Sequence, residues 1–278
     1  MAAAGRTPAS FRLPDWTTFL EYLKFKIEQQ HESIDEPVVD EECNGNTFLM
    51  EAVQRSDKEA VEYLVTAGAD VNVLTAGSAL TSYNPFMGVG STEIIEILQY
   101  LLDNGAFFIQ DVGGRYRGMM PDERAWAQIG QHMEDIEEDD EEQKALEEQT
   151  ITDMEAIHDF LESAASGRIF DATVSVLGQR KPPFLFKYDK LADIRKLKEI
   201  IQILYLDDED LQIKFDLLMP MAQIGKTKKE INANKVLNVD RTMSDYVGSR
   251  YNNTPVKLVV APKIRSGFGG RRKTLKRK

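Results

Sequence analysis

The sequence predicts a mainly α protein: a short stack of helix-pair repeats with capping helices, then an unassigned α or α+β region and a disordered basic tail. Three observations predict it. A 37-residue duplication runs through residues 44–112, apolar side chains recur at helical spacing through the first half, and charge is split sharply between the body and the C terminus. A duplicated unit of this length is one supersecondary element that buries its apolar side only against its neighbours.

Taken in order, Phe19, Leu20, Leu23 and Ile27 form the apolar stripe of a helix within residues 14–30, started by Pro14-Asp15. Glu32–Glu42 is acidic, contains Pro37 and reads as a connector. In the first duplicated unit, Leu49, Ala52 and Val53 give a short first helix, and Ala60, Val61, Leu64 and Val65 give a second over about 58–67. Gly68 supplies the left-handed residue that ends it. In the second unit Asn84-Pro85-Phe86-Met87 matches Thr47-Phe48-Leu49-Met50, Leu98 matches Val61, Leu101 matches Leu64, and Gly105-Ala106 matches Gly68-Ala69. A third unit around Met120-Pro121, Ala125 and Ile136 loosely echoes the opening, and its helix is a candidate to cover Phe107-Phe108-Ile109. Such stacks need about three units or caps to enclose a core, so the flanking helices are expected to pack on the repeats.

Further on, ten acids against Lys144 in residues 134–148 predict an exposed, partly frayed helix or linker, because like charges three and four apart repel. Residues 151–165 read as a helix ending near Gly167, 169–177 and 184–188 as strands, 191–206 as a helix, 211–219 as another helix and 256–260 as a strand. The expected divisions are 1–43, an N-terminal capping helix and connector; 44–133, the repeats; 134–149, an acidic linker; 150–262, a C-terminal region of unknown type; and 263–278, the tail.

The opening Gly45-Asn-Thr47-Phe-Leu49-Met-Glu-Ala52, continuing through Val61-Glu-Tyr-Leu64 to Gly68-Ala-Asp-Val-Asn72, closely resembles an ankyrin repeat. The departures are Phe48 for the family's proline, Met50 for its histidine and Ser56 for its mid-repeat glycine. Met50 implies weaker hydrogen bonding between turns. The second unit has about four residues more than the family's 33, assigned to a longer finger around Leu74–Tyr83. The resemblance implies a groove of first-helix faces and finger tips that binds another protein. It maps onto Cys43, Asn44, Asn46, Gln54 and Arg55 in the first unit and onto Thr75, Tyr83 and Asn84 in the second.

Composition narrows the function classes. The chain has 278 residues, 42% hydrophobic and 29% charged, and its one cysteine, Cys43, excludes an intrachain disulfide. With no apolar run near the length of a membrane span and no signal peptide, the expectation is a monomeric intracellular protein, cytoplasmic or nuclear, without a membrane partner. Net charge is −12, but residues 263–278 carry +8 and leave −20 for the rest. The body therefore repels nucleic acid, and only the tail, through Arg271, Arg272, Lys273, Lys276, Arg277 and Lys278, is a candidate for anion or nuclear-import contacts. That tail is also similar to the ends of many proteins of large DNA viruses.

No catalytic grouping, metal site or cofactor is expected. Glu28–His31 and Glu155–His158 have di-iron spacing but lack the two further glutamates on facing helices. Gly225-Lys226-Thr227 has Pro220 where a phosphate loop needs glycine, and Gly113–Gly118 reads as a basic linker. The function expected is a non-enzymatic protein-interaction scaffold. The alternatives are an enzymatic or metal-binding domain in residues 150–262 guided by the repeats, or a nucleic-acid or acidic-surface binder acting through the tail.

Overall fold

The computed structural model describes residues 18–38, 46–75, 77–85, 89–134, 141–177, 182–205, 215–220, 234–246 and 256–262. Cys43, Asn44, the basic tail, Gly225-Lys226-Thr227 and residues 135–140 of the acidic run lie outside them. The chain divides into two compact units, 1–169 and 170–278. The expected division at residue 150 falls inside a helix of the first unit.

That unit holds α1 (Phe19–Lys24, continued by one π turn, Phe25–Gln29), α2 (Phe48–Gln54), α3 (Lys58–Thr66), a 3-10 turn at Ala79–Thr81, α4 (Ser91–Asp103), α5 (Pro121–Glu134) and α6 (Glu141–Ala165). Their contacts form two rows. In one, α2 touches the 3-10 turn and the turn touches α5; in the other, α1 touches α3, α3 touches α4 and α4 touches α6. Across the rows α2 meets α3, the turn meets α4, and α5 meets α6. Three modules thus lean on one another, and Leu23, Leu64, Leu101 and Leu161, all fully buried, belong to a single apolar cluster.

Local chemistry explains each boundary. Thr47 caps α2 by accepting the Met50 amide at 3.3 Å, and Asp57 caps α3 by accepting the Ala60 amide at 3.0 Å. Gly68, Gly105 and Gly167 close α3, α4 and α6 with φ of 95°, 91° and 69°, conformations that a side chain penalises. The position of the family's missing mid-repeat glycine is also left-handed: Ser56 has φ 54°.

The second module corrects the sequence reading. Asn84-Pro85-Phe86-Met87 was matched to the opening of α2; Phe86 and Met87 lie outside the described residues, and the turn that stacks on α2 lies earlier, at Ala79–Thr81, with Leu80 buried and the Ser78 amide donating to Thr81 Oγ1 at 2.9 Å. α4 starts 33 residues after α3, the family's own spacing, but has 13 residues against nine, so the four extra residues lie in that helix and not in the finger. Pro85, Gly88 and Gly90 make helix propagation between the turn and Ser91 costly. The third module is a full helix pair, and Phe108 shares the core with Ala125 of α5 and Ile157 of α6, while the Arg168 guanidinium lies 5.1 Å over its ring.

Module follows module through one repeated bond. Asn72 accepts the Phe107 amide at 3.0 Å and donates to the Gly105 carbonyl at 3.0 Å, tying one finger to the next. Asp35 accepts the Asp70 amide at 2.9 Å with the same 35-residue separation. His31, 37 residues before Gly68, has φ 56°. α1 and residues 31–37 thus have the geometry of a second helix and finger, lacking glycine at the close.

The described residues of the second unit form a five-stranded mixed sheet in the order β2-β1-β5-β3-β4, made of β1 (Ile169–Val176), β2 (Phe184–Asp189), β3 (Phe215–Pro220), β4 (Asn234–Val236) and β5 (Val256–Pro262), with α7 (Ile194–Tyr205). β1 and β5 run parallel, Val174 opposite Leu258, while β3 is antiparallel to β4 and β5. Of the helix expected over 211–219, residues 211–214 lie outside the described residues and 215–219 belong instead to β3, in which Leu217 and Met219 are buried and Leu218 is half-buried, a period of two. Short apolar runs do not distinguish strand from helix by periodicity alone.

Candidate functional site

Four residues expected from sequence meet in one cleft of about 380 Å³ in the first unit: Asn46, Gln54, Tyr83 and Asn84. Asn46 precedes the α2 cap and Gln54 ends that helix, so a seven-residue helix brings both to one side, where Asn46 Nδ2 donates to Gln54 Oε1 at 3.3 Å. Tyr83 and Asn84 follow the 3-10 turn that stacks beside α2. The remaining wall comes from the second finger and α5, through Asp111, Arg115, Tyr116, Arg124 and Gln128.

Beneath the cleft is a buried polar cluster. Asp111, 2% exposed, accepts from the Thr81 hydroxyl at 2.9 Å on one oxygen and from Arg124 Nη1 at 3.0 Å on the other. Burial holds the Asp111 carboxyl above its ordinary pKa, against the opposing pull of Arg124 and the Thr81 hydrogen bond. The Arg124 guanidinium also lies 5.0 Å over the Tyr116 ring. Asp111 anchors the finger: its amide donates to the Met119 carbonyl at 2.9 Å and its carbonyl accepts the Gly118 amide at 2.7 Å. Gly77 is required by space, since a Cβ there would lie 2.7 Å from Thr81 Oγ1 and 3.0 Å from Asp111 Oδ1.

Tyr83 is almost fully buried, its hydroxyl 3.4 Å from Gln128 Oε1, and burial pushes its phenol well above the ordinary tyrosine pKa. It is a neutral hydrogen-bonding group at neutral pH, not a base. The cleft thus offers carboxamides, hydroxyls and one exposed cation, Arg115. Asp111 is already held by Arg124 and by the Thr81 hydroxyl.

Two expected residues line no part of this cleft. The Arg55 guanidinium packs 4.6 Å over Phe19 and its Nε donates to Glu51 at 2.6 Å, so it joins α1 to α2. Thr75 donates to Met50 Sδ at 3.2 Å, a weak bond to the residue that stands in the family's histidine position. Sequence reasoning missed Asp111, Tyr116, Arg124 and Gln128. The signal that could have found two of them was the basic Gly113–Gly118 stretch and the third module's opening, whose Ala125 follows Arg124.

Elsewhere, a larger cleft of about 570 Å³ lies beside α1, spanned by the ion pair Lys26–Glu32 at 2.6 Å. His158, Asp159 and Glu162 on α6 bring ligand atoms within 4.8 Å of one another; Asp159 and Glu162 are exposed, and His158 is partly shielded by Trp126 at 5.2 Å. No helix among the described residues is long and apolar enough to cross a membrane.

Residues 44–76 match the family model of the ankyrin repeat. No curated protein and no solved structure matches the chain.

Proposed function

We propose that the first unit, built on the ankyrin repeat at residues 44–76, is a non-enzymatic protein-binding module that engages its partner at the cleft between α2, the 3-10 turn, the second finger and α5. Ankyrin repeats serve protein–protein interaction in general. The observation that carries the reading is convergence: Asn46, Gln54, Tyr83 and Asn84, chosen as groove positions from sequence, line one polar cleft with Tyr116 and Gln128. α1 acts as the cap of the stack, closing the exposed side of α3, and modules two and three are degenerate repeats of the same kind.

Side chains in this cleft are held by their own framework, through the Asp111–Arg124 pair and the Thr81 bond. A partner therefore meets a pre-organised surface and loses less entropy in ordering it. The test is affinity capture with full-length protein, wild type against Gln54→Ala/Gln128→Ala. Both side chains reach solvent, so folding is retained, checked by circular dichroism. Specific partners are expected to be lost from the variant; retention of every one at the wild-type level would overturn the assignment of this cleft.

A further inference from the structure

We infer that the occupant of this cleft is an extended peptide segment bearing acidic side chains, read by Arg115 at the tip of the second finger. The inference rests on the binding role proposed above and adds the partner's chemistry.

Charge is the first argument. Residues outside the tail carry −20, yet among the described residues lining the cleft there is a single acid, Asp111, against two cations, Arg115 and Arg124. Asp111 is buried and held by Arg124 at 3.0 Å, which cancels that pair and leaves Arg115 as the cleft's outward charge. A local cation within an acidic surface selects an anionic partner at this spot and disfavours one elsewhere.

The finger's construction is the second. Residues 113–118 contain Arg115 and Arg117 with no acid. The loop is closed at its base by the Asp111–Met119 and Gly118–Asp111 backbone bonds, which fix it beside the cleft. Arg115 lies 5.8 Å over the Tyr116 ring, whose hydroxyl lies 3.4 Å from Gln131 Oε1 on α5. The guanidinium is thus positioned by an aromatic face and keeps its fork of donors for a carboxylate.

The third is the polar wall. Asn46, Gln54 and Gln128 line it with carboxamides; Asn46 donates to Gln54 and Gln128 accepts from Tyr83. With two lone pairs on each oxygen and two hydrogens on each nitrogen, every one keeps donor and acceptor capacity, the pattern that pairs with the backbone of an extended chain. A small anion such as sulfate has no hydrogen to donate to those acceptors. An acidic extended peptide uses both sets.

The experiment uses the full-length protein and a fluorescent peptide of about ten alternating Glu and Gly residues, roughly 33 Å when extended. Gln/Gly and Lys/Gly peptides of equal length serve as comparisons. The Glu/Gly peptide carries a photocrosslinker, since the basic tail also attracts acids. The expected result is saturable binding of the Glu/Gly peptide alone, crosslinks on residues 111–128, and affinity at least tenfold weaker in Arg115→Glu. Crosslinks confined to residues 263–278, equal binding of Gln/Gly, no binding, or an affinity indifferent to Arg115→Glu would each overturn the inference. If Gln54→Ala/Gln128→Ala loses captured partners while Arg115→Glu keeps them, the cleft stands and only the acidic occupant falls.

Discussion

Left-handed backbone recurs at a fixed place in this chain, and the residue standing there changes. His31, Gly68 and Gly105 follow one another at 37-residue steps with φ of 56°, 95° and 91°. A side chain in that conformation costs about 1–2 kcal/mol, because Cβ approaches the following carbonyl oxygen. Nothing lies within 4 Å of where a Cβ would stand on Gly68, so the cost of substitution there is conformational alone. Gly68→Ala is expected to lower the stability of the first unit by about 1 kcal/mol. His31→Gly is expected not to lower it, the relief of strain offsetting the glycine's larger unfolded-state entropy. Urea denaturation measures both, and a larger loss in His31→Gly than in Gly68→Ala would contradict the shared backbone role. The glycines at 68 and 105 were legible in sequence; the third member was not, since a histidine gives no sign of a left-handed backbone.

Helices in the first unit are finished by groups from outside themselves. α4 starts after Gly90, which has no side chain to cap it; instead Asp153 of α6 accepts the Ser91 hydroxyl at 2.7 Å and the Ser91 amide at 3.3 Å. Partial burial works against the charged form of Asp153, but the bonds from Ser91 outweigh it and hold the carboxyl below its ordinary pKa. A lowered folded-state pKa means that the stabilisation is present above the unfolded value of about 3.9 and is lost as pH falls through the folded one. Asp153→Asn is expected to cost about 0.5–1 kcal/mol at neutral pH, at the low end for a cap because the site is largely solvated. That difference closes as pH falls below the unfolded value and through the lower folded one. Thermal melts across the range check it, and a difference that does not vary with pH would show that the charge is immaterial. α4's own periodicity marks its apolar stripe, Ile94, Ile97, Leu98 and Leu101, but not the acid 62 residues away that begins it.

Across the whole molecule, the first unit is held by a cluster that threads every module. Leu64, Leu101 and Leu161 are each fully buried and come from α3, α4 and α6. Leu101→Ala removes packing from the middle of the row and is expected to cost about 2–5 kcal/mol. Amide hydrogen exchange should then quicken in α3, α4 and α6 together, because each module buries its apolar side only on its neighbours. Faster exchange confined to α4 would mean that the modules stand independently.

The sequence by itself determined the duplication, the apolar stripes of α3 and α7, the place of Leu98 and Leu101 in α4, the closing glycines and strands β1, β2 and β5. These are local: period, turn chemistry and composition act over a few residues, and each signal is complete within its own segment. Tertiary structure decided the rest. The 3-10 turn at Ala79–Thr81 forms because it stacks between α2 and α5 while Pro85 and Gly88 oppose a helix beyond it. β3 is a strand because β4 and β5 pair with it on both sides. The cleft exists because folding brings Asn46 and Gln54 to Asp111, Arg124 and Gln128. Hydrogen bonds and ion pairs act over a few ångströms of space, and partners such as Ser175 and Leu258, 83 residues apart in the chain, carry no mark of one another.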